Sequence, residues 1–181
     1  MTEAHESVLD FWFRELAPRQ WFRKDPALDR RIETRFLATW QAAHAGELWS
    51  WRASPRGRLA EILVLDQFSR NLFRDRPEAF AQDAQALVLA QEAVAGGADA
   101  ELETVQRAFL YMPYMHSESL RIHDEAVRLF DQPGLEDNLE SEHRHRRILE
   151  RFGRYPHRNA VLGRASTPEE VDFLRQPGSS F

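Results

Sequence analysis

The stretch SPRGRLAEILVLDQFSRNLF, residues Ser54 to Phe73, decides the fold because it is typical of a buried helix. Ser54 and Pro55 form a helix start, since a serine oxygen can accept a hydrogen bond from a backbone N–H and the fixed φ of proline suits the first helical position. At about 100° per residue, the apolar side chains that follow cover nearly every side of the helix. A helix of that kind belongs in a core, so the stretch predicts an all-α domain.

Helix signals repeat along the rest of the chain, whereas strand signals are nearly absent. Proline or glycine interrupts the sequence about every 12–20 residues, which is typical of helices joined by short loops. The pattern predicts about seven to eight helices that pair as antiparallel hairpins. Pro113 should kink or end the helix that contains it. The helices are expected within residues 7–16, 25–46, 54–73, 83–97, 101–112, 117–130, 139–153 and 167–174.

Size and composition indicate one globular domain, residues 1–181, with a loose N-terminus at 1–6 and a loose tail at 176–181. The chain has no cysteine, which excludes disulfides, thiolate metal sites and a cysteine nucleophile. Its net charge of −5 argues against general nucleic-acid binding. The acidic start lacks the apolar segment of a signal peptide, and the longest aliphatic run is only ILVL. These features predict a soluble cytoplasmic protein that does not bind membranes.

Four polar side chains interrupt the apolar surface of the opening helix. On a helical wheel, Asp66, Gln67, Arg70 and Asn71 form one continuous strip over two turns. Leu63 extends this strip, so the strip should not face bulk solvent. A buried charged or amide group without a partner costs several kcal/mol, so other segments must supply partners.

Three other segments offer polar groups on or beside apolar helix faces. They contribute His116 and Glu118, then His123, then Glu142, His145 and Arg146, and finally His157, Arg158, Asn159 and Arg164. A helix that starts at Pro156 would place cationic side chains beside its positive end, which suits an anion or a buried carboxylate. Each group also has a structural interpretation, because polar residues in a core commonly pair with one another.

Neither a metal site nor a cofactor is predicted. The sequence lacks HExxH, a glycine-rich phosphate loop and GxSxG. His143 and His145 diverge on a helix and cannot chelate one ion. His116 and His123 could share a helix face, but that spacing is a weak signal.

The chain resembles the bacterial family called domain of unknown function 924 in five segments: WFRKDPALD, SPRGRLAEILVLDQFSRNLFRD, AFAQDAQAL, FLYMPYMHSE and HRRILERFGRYPHRNAVLGRASTPEE. The resemblance runs from about Val8 to Leu174, and it implies a helical array similar to tetratricopeptide repeats. It implies no activity. The family usually has proline where this chain has Ser69. The matching segments contain every residue of the predicted polar centre except His123 and Glu142.

Three functions fit these residues. A binding module would hold a small anionic molecule or an acidic peptide. Its ligand-binding residues would be Arg70, Arg146, Arg158 and Arg164 as clamps, with Asp66, Gln67, Asn71, His157 and Asn159 alongside them. A hydrolase or lyase would use His116 or His145 as acid and base, oriented by Glu118 or Asp66. In the third interpretation the network is purely structural, in a protein–protein scaffold. The protein could also form homo-oligomers.

Overall fold

The computed structural model describes residues 4–181, which form helices, turns and irregular segments without a strand among them. The predicted all-α class is therefore confirmed. The α segments are α1 (Ala4–Asp10), α2 (Pro26–His44), α3 (Pro55–Leu63), α4 (Ser69–Leu72), α5 (Asp83–Ala95), α6 (Thr104–His116), α7 (Leu120–Phe130), α8 (Glu136–Phe152) and α9 (Pro168–Leu174). A π-helical turn, Val64–Phe68, joins α3 to α4. Because α3, the π turn and α4 form one continuous helix, the described chain contains eight helices, as expected.

The predicted helix starts are confirmed by their capping bonds. Asp25 accepts hydrogen bonds from the backbone N–H of Ala27 at 2.8 Å and of Leu28 at 3.3 Å. Ser54 caps α3 in the same way, with its hydroxyl oxygen 3.1 Å from the backbone nitrogen of Gly57. Each cap satisfies N–H groups that a helix start leaves without an intrahelical acceptor.

The structure corrects three expectations about helix ends. α6 does not end at Pro113 but continues to His116, because the whole run from Ala108 to Met115 is buried and packing holds the last turn. No long helix starts at Pro156, where the chain makes only the short 3₁₀ turn Pro156–Arg158. The N-terminus is not loose from residue 4 onward, since α1 begins at Ala4; residues 1–3 of the predicted loose segment lie outside the described residues.

The helix formed by α3, the π turn and α4 lies at the centre of the fold. α1, α2, α5 and α6 all pack against it. Phe68 is fully buried, and its ring centroid lies 5.7 Å from that of Trp12. The Trp12 ring also packs edge-to-face on Phe109, with 5.7 Å between the ring centroids. Burying one such aromatic side chain stabilises a fold by about 1.5–3 kcal/mol, so this cluster anchors the centre.

A smaller apolar cluster lies beside α8. It consists of Ile148, Leu149 and Tyr155, with Phe152 and Phe173 packed against it. The tail after α9 is not helical, yet it packs on the domain. Ser179 is buried, and the ring centroid of Phe181 lies 3.7 Å from that of His145. Across residues 4–181 no helix has both the length and the apolar character needed to cross a membrane.

Candidate functional site

The π turn Val64–Phe68 places Asp66 and Gln67 at the centre of the fold. π-helical turns are rare and are often found at functional sites, because the extra residue re-aims the side chains of the turn. Ser69 follows directly, and its hydroxyl donates to the backbone oxygen of Leu65 at 2.5 Å while accepting from the indole nitrogen of Trp40 at 2.8 Å. The Ser69 hydroxyl therefore connects the π turn to α2.

Asp66 and His116 form a buried dyad. Asp66 is fully buried, and its Oδ1 lies 2.6 Å from Nδ1 of His116, the last residue of α6. Gln67 donates to Oδ2 of Asp66 at 2.7 Å. Burial raises the pKa of Asp66, but the electrostatic interaction with His116, the charge of Arg70 and the hydrogen bonds from His116 and Gln67 outweigh burial and lower the pKa to about 2. Asp66 is therefore ionised at neutral pH.

The His116 ring is neutral in this setting. Burial and the positive charge of Arg70 lower the pKa of His116, against the opposing effect of Asp66. With an ionised carboxylate at Nδ1, the ring proton sits on that nitrogen and leaves a lone pair on Nε2. In the described chain Nε2 makes no hydrogen bond, and His116 borders a cavity. The dyad thus presents one unused acceptor to that cavity.

Two guanidinium groups, the partly buried Arg70 and the buried Arg158, share the carboxylate of Asp83. Arg70 binds it through two hydrogen bonds of 2.8 and 3.0 Å and also lies 3.2 Å from Asp66. Arg158, which is 5% exposed, reaches Asp83 only at 3.3 Å and donates to the backbone oxygen of His116 at 3.0 Å. The buried Nε of Arg158 makes no hydrogen bond to any described residue. Arg158 is therefore incompletely compensated, and burial lowers its pKa.

A cavity of about 500 Å³, the Arg158 cavity, lies against these groups. Of the described residues that border it, the cationic ones are Arg23, Lys24, Arg70, Arg74 and Arg158, and Asp75 is the one carboxylate. Arg74 and Lys24 are already paired, with Asp29 and Asp75 respectively. Arg23 forms no ion pair with the described part of the chain, so the net positive charge at the cavity comes from Arg23, whereas Arg158 shares the carboxylate of Asp83 with Arg70.

Seven of the predicted site residues meet at or directly behind this cavity. They are Asp66, Gln67, Arg70, Asn71, His116, His157 and Arg158. Asn71 donates to Oδ1 of Asp29 at 2.8 Å, and the same carboxylate binds Arg74, which makes Asn71 part of the wall. Burial and the charges of Arg158 and Arg70 lower the pKa of His157 to about 4, so that ring is neutral too.

Other predicted residues lie in a separate, closed network. Arg164 binds Glu118 through bonds of 2.7 and 2.9 Å, and Glu118 also accepts the backbone N–H of Tyr155 at 2.7 Å. Asn159 accepts from Nε of Arg164 at 3.0 Å and donates to Glu170 at 3.2 Å. These groups satisfy one another, and the structure does not bring them to the Arg158 cavity.

α8 carries the remaining candidates away from this cavity. Arg146 pairs with Asp124 and Glu150, two exposed acids, so its side chain follows the surface. The Nδ1–H of His145 donates to the backbone oxygen of Ser141 at 2.7 Å, and burial lowers the pKa of His145 to about 3. His145 borders a second cavity of about 450 Å³.

His123 is part of the core. Its Nδ1 lies 2.5 Å from Glu142 and its Nε2 lies 2.8 Å from the backbone oxygen of Ser117, with both His123 and Glu142 fully buried. His116 and His123 therefore serve different networks. Among residues 4–181, no group of three or more His, Cys, Asp or Glu side chains is placed to hold a metal ion.

Sequence reasoning missed the acids behind the cavity. In the sequence, Asp83 indicates only the start of the helix α5, and Asp29 is only one position of the amphipathic helix α2. The signal that could have found them was the need of two inward arginines, Arg70 and Arg158, for a carboxylate. Sequence analysis also did not identify Phe80, whose ring centroid lies 4.6 Å from the guanidinium carbon of Arg158.

Comparisons with known proteins find relatives of unknown activity. The sequence profile of the family described as "Bacterial protein of unknown function (DUF924)" matches residues 8–178. A solved structure, described as a protein of unknown function, ATU0120, from Agrobacterium tumefaciens, is 38% identical with a TM-score of 0.90, over 94% of this chain and 96% of that chain. Among curated proteins, none matches this chain.

Proposed function

This chain belongs to the DUF924 family of bacterial proteins, whose description names no activity, and from its site we propose that it binds a small organic anion in the Arg158 cavity. The observation that carries this proposal is that the guanidinium of Arg158 is buried and incompletely hydrogen-bonded. A buried guanidinium that shares one carboxylate with Arg70, and whose Nε makes no bond to the described chain, is suited to an additional negative charge.

The composition of the cavity supports an anion over a cation or a neutral ligand. Arg23 adds an exposed positive charge that forms no ion pair with the described part of the chain. The rings of His116 and His157 are neutral, so the charge at the cavity comes from its arginine, lysine and aspartate side chains. A volume of about 500 Å³ lies in the range of small-molecule pockets, roughly 300–1,000 Å³.

Calorimetric titration tests the proposal. Citrate, glutarate and glucose 6-phosphate are compared with neutral glucose, and we expect saturable binding of at least one anion and none of glucose. Arg158→Gln should weaken that binding at least about tenfold, because a charged hydrogen-bond donor is lost. Arg146→Gln is the matched control, since Arg146 pairs with acids on the surface, and should bind as the wild type does.

The variant Arg23→Ala guards against a folding defect in Arg158→Gln. Arg23 is exposed and unpaired within the described chain, so its removal should leave stability unchanged while lowering affinity and its dependence on salt. Absence of binding by all three anions, or equal loss in Arg146→Gln and Arg158→Gln, would contradict the proposal.

The Asp66–His116 dyad favours a second candidate, hydrolysis of an ester of the bound acid. Nε2 of His116 would take a proton from water as the water oxygen bonds to the carbonyl carbon or phosphorus, and Asp66 would stabilise the resulting imidazolium. The departing alcohol oxygen would then receive that proton from His116. The short Nδ1 contact of 2.6 Å and the unused Nε2 support this role.

Turnover of p-nitrophenyl acetate and p-nitrophenyl phosphate separates the two candidates. An enzyme should release nitrophenol at a rate that falls at least about 10²-fold in His116→Ala. The control is His44→Ala, an exposed histidine that does not border the Arg158 cavity. Binding without turnover, or turnover that persists in His116→Ala, would leave the binding function alone.

A further inference from the structure

We propose that the anion bound in the Arg158 cavity carries an aromatic group, and that this group packs on Phe22 while the acid group reaches Arg158. The inference rests on the proposed function and adds the chemical class of the ligand, an aryl phosphate or aryl carboxylate. Three observations carry it: the exposure of Phe22, the packing of its ring on Phe109, and a second apolar surface that borders the same cavity.

Phe22 is unusually exposed for a large apolar side chain. It is 69% exposed and borders the Arg158 cavity, next to the cationic residues Arg23 and Lys24. An exposed aromatic ring is unremarkable when it stands alone on a surface. Here it borders a concave site that also holds polar and cationic groups, and small-molecule pockets commonly combine aromatic side chains with a few polar ones.

One face of the Phe22 ring is held by the core. Phe22 stacks on Phe109 with an interplanar angle of 10° and 6.0 Å between ring centroids. Phe109 is itself 2% exposed and is braced by Trp21 at 5.0 Å. Trp21 is fixed in turn, since its indole nitrogen donates to the backbone oxygen of Trp12 at 2.8 Å. The Phe22 ring therefore needs little further ordering when a ligand packs on its other face.

A second apolar surface borders the same cavity. Phe181 is 52% exposed and borders the cavity together with Val161. Its ring centroid lies 4.5 Å from that of His157. Phe80 borders the cavity as well, but the guanidinium of Arg158 lies over its ring, 4.6 Å from the ring centroid. The exposed rings of Phe22 and Phe181 and the less exposed guanidinium groups of Arg70 and Arg158 border the same cavity, which fits a ligand with one aryl part and one acidic part.

Two pairs of ligands test the inference with the acid group held constant. Inorganic phosphate is compared with phenyl phosphate, and acetate with benzoate, by calorimetric titration of the full chain. We expect the aryl member of at least one pair to bind at least tenfold more tightly. The pair that shows the gain identifies phosphate or carboxylate as the acid group.

Phe22→Ala should reduce that gain to about threefold or less without changing the affinity for the small anion. Trp49→Ala is the matched control, because Trp49 is equally exposed, at 69%, and does not border this cavity. It should keep the full gain. Phe22→Ala removes an exposed ring, so the protein should stay folded, as circular dichroism will verify.

The results separate this inference from the proposed function. Binding of phosphate or acetate without any aryl gain overturns the inference and leaves anion binding intact. An aryl gain that survives in Phe22→Ala, or disappears in Trp49→Ala, also overturns it. Failure of all four anions to bind overturns the inference, and the proposed function fails with it only if citrate, glutarate and glucose 6-phosphate also do not bind.

Discussion

The imidazole of His116 lies 2.6 Å from the buried carboxylate of Asp66, across a sequence separation of 50 residues. This contact joins the last turn of α6 to the π turn in the central helix. It fixes the proton of His116 on Nδ1 and leaves Nε2 beside the Arg158 cavity. Because Arg70 and Gln67 also bind Asp66, one carboxylate organises much of the buried wall.

Replacing Asp66 should destabilise the whole protein. Asp66→Asn removes the negative charge that Arg70 and His116 face in a fully buried position, and the loss of one partner from a buried pair costs about 3–5 kcal/mol. Urea unfolding followed by circular dichroism measures the change. Asp172→Asn, in an exposed ion pair with Arg175, should change stability by less than about 1 kcal/mol. Equal effects of the two substitutions would contradict this account of Asp66.

Stability should fall as the pH drops from 7 to 5. Burial lowers the pKa of His145 to about 3, well below about 6.5 for the unfolded chain. In this window the unfolded state binds the proton and the folded state does not, so acid favours unfolding. The stability that neutral His145 contributes is present above pH 6.5 and falls by up to about 2 kcal/mol by pH 5.

Urea unfolding at pH 7 and pH 5 measures this loss. His145→Gln should reduce the dependence, because glutamine does not titrate, and the partly buried rings of His116 and His157 should account for what remains. The exposed neighbour His143 provides the matched control, and His143→Gln should keep the wild-type slope. The account of His145 fails if both variants behave alike.

Ser69 should stabilise the π turn through its hydroxyl. Ser69→Ala leaves the buried indole N–H of Trp40 without its acceptor, which costs about 1–3 kcal/mol. Thermal unfolding detects the loss as a lower Tm, and the exposed Ser50→Ala serves as the control. An unchanged Tm in Ser69→Ala would mean that the Trp40 bond does not stabilise the turn.

The helices could be predicted from sequence because their signals are local. Asp25, Ser54 and Thr167 each lie at a helix start that the structure confirms by a capping bond. The polar strip could be predicted for the same reason, since helical spacing alone places Asp66 beside Arg70. The tetratricopeptide-like arrangement of the helices stays a prediction.

The partners of the strip could not be predicted, because they depend on how distant helices pack. His116 meets Asp66 only because α6 continues past Pro113, against the local preference of proline. Arg146 and Arg158 are equal candidates in sequence. The structure separates them, because two exposed acids hold Arg146 at the surface while Arg158 is buried beside Asp83.

A crystal structure of the protein soaked with phenyl phosphate is the most direct test of the central claim, that the Arg158 cavity binds an organic anion. We predict the phosphate within hydrogen-bonding distance of Arg158, with the phenyl ring against Phe22. The second cavity is the competing location, since Arg144, Arg147 and Arg151 border it. Density for the ligand there, with the Arg158 cavity holding only solvent, would contradict the claim.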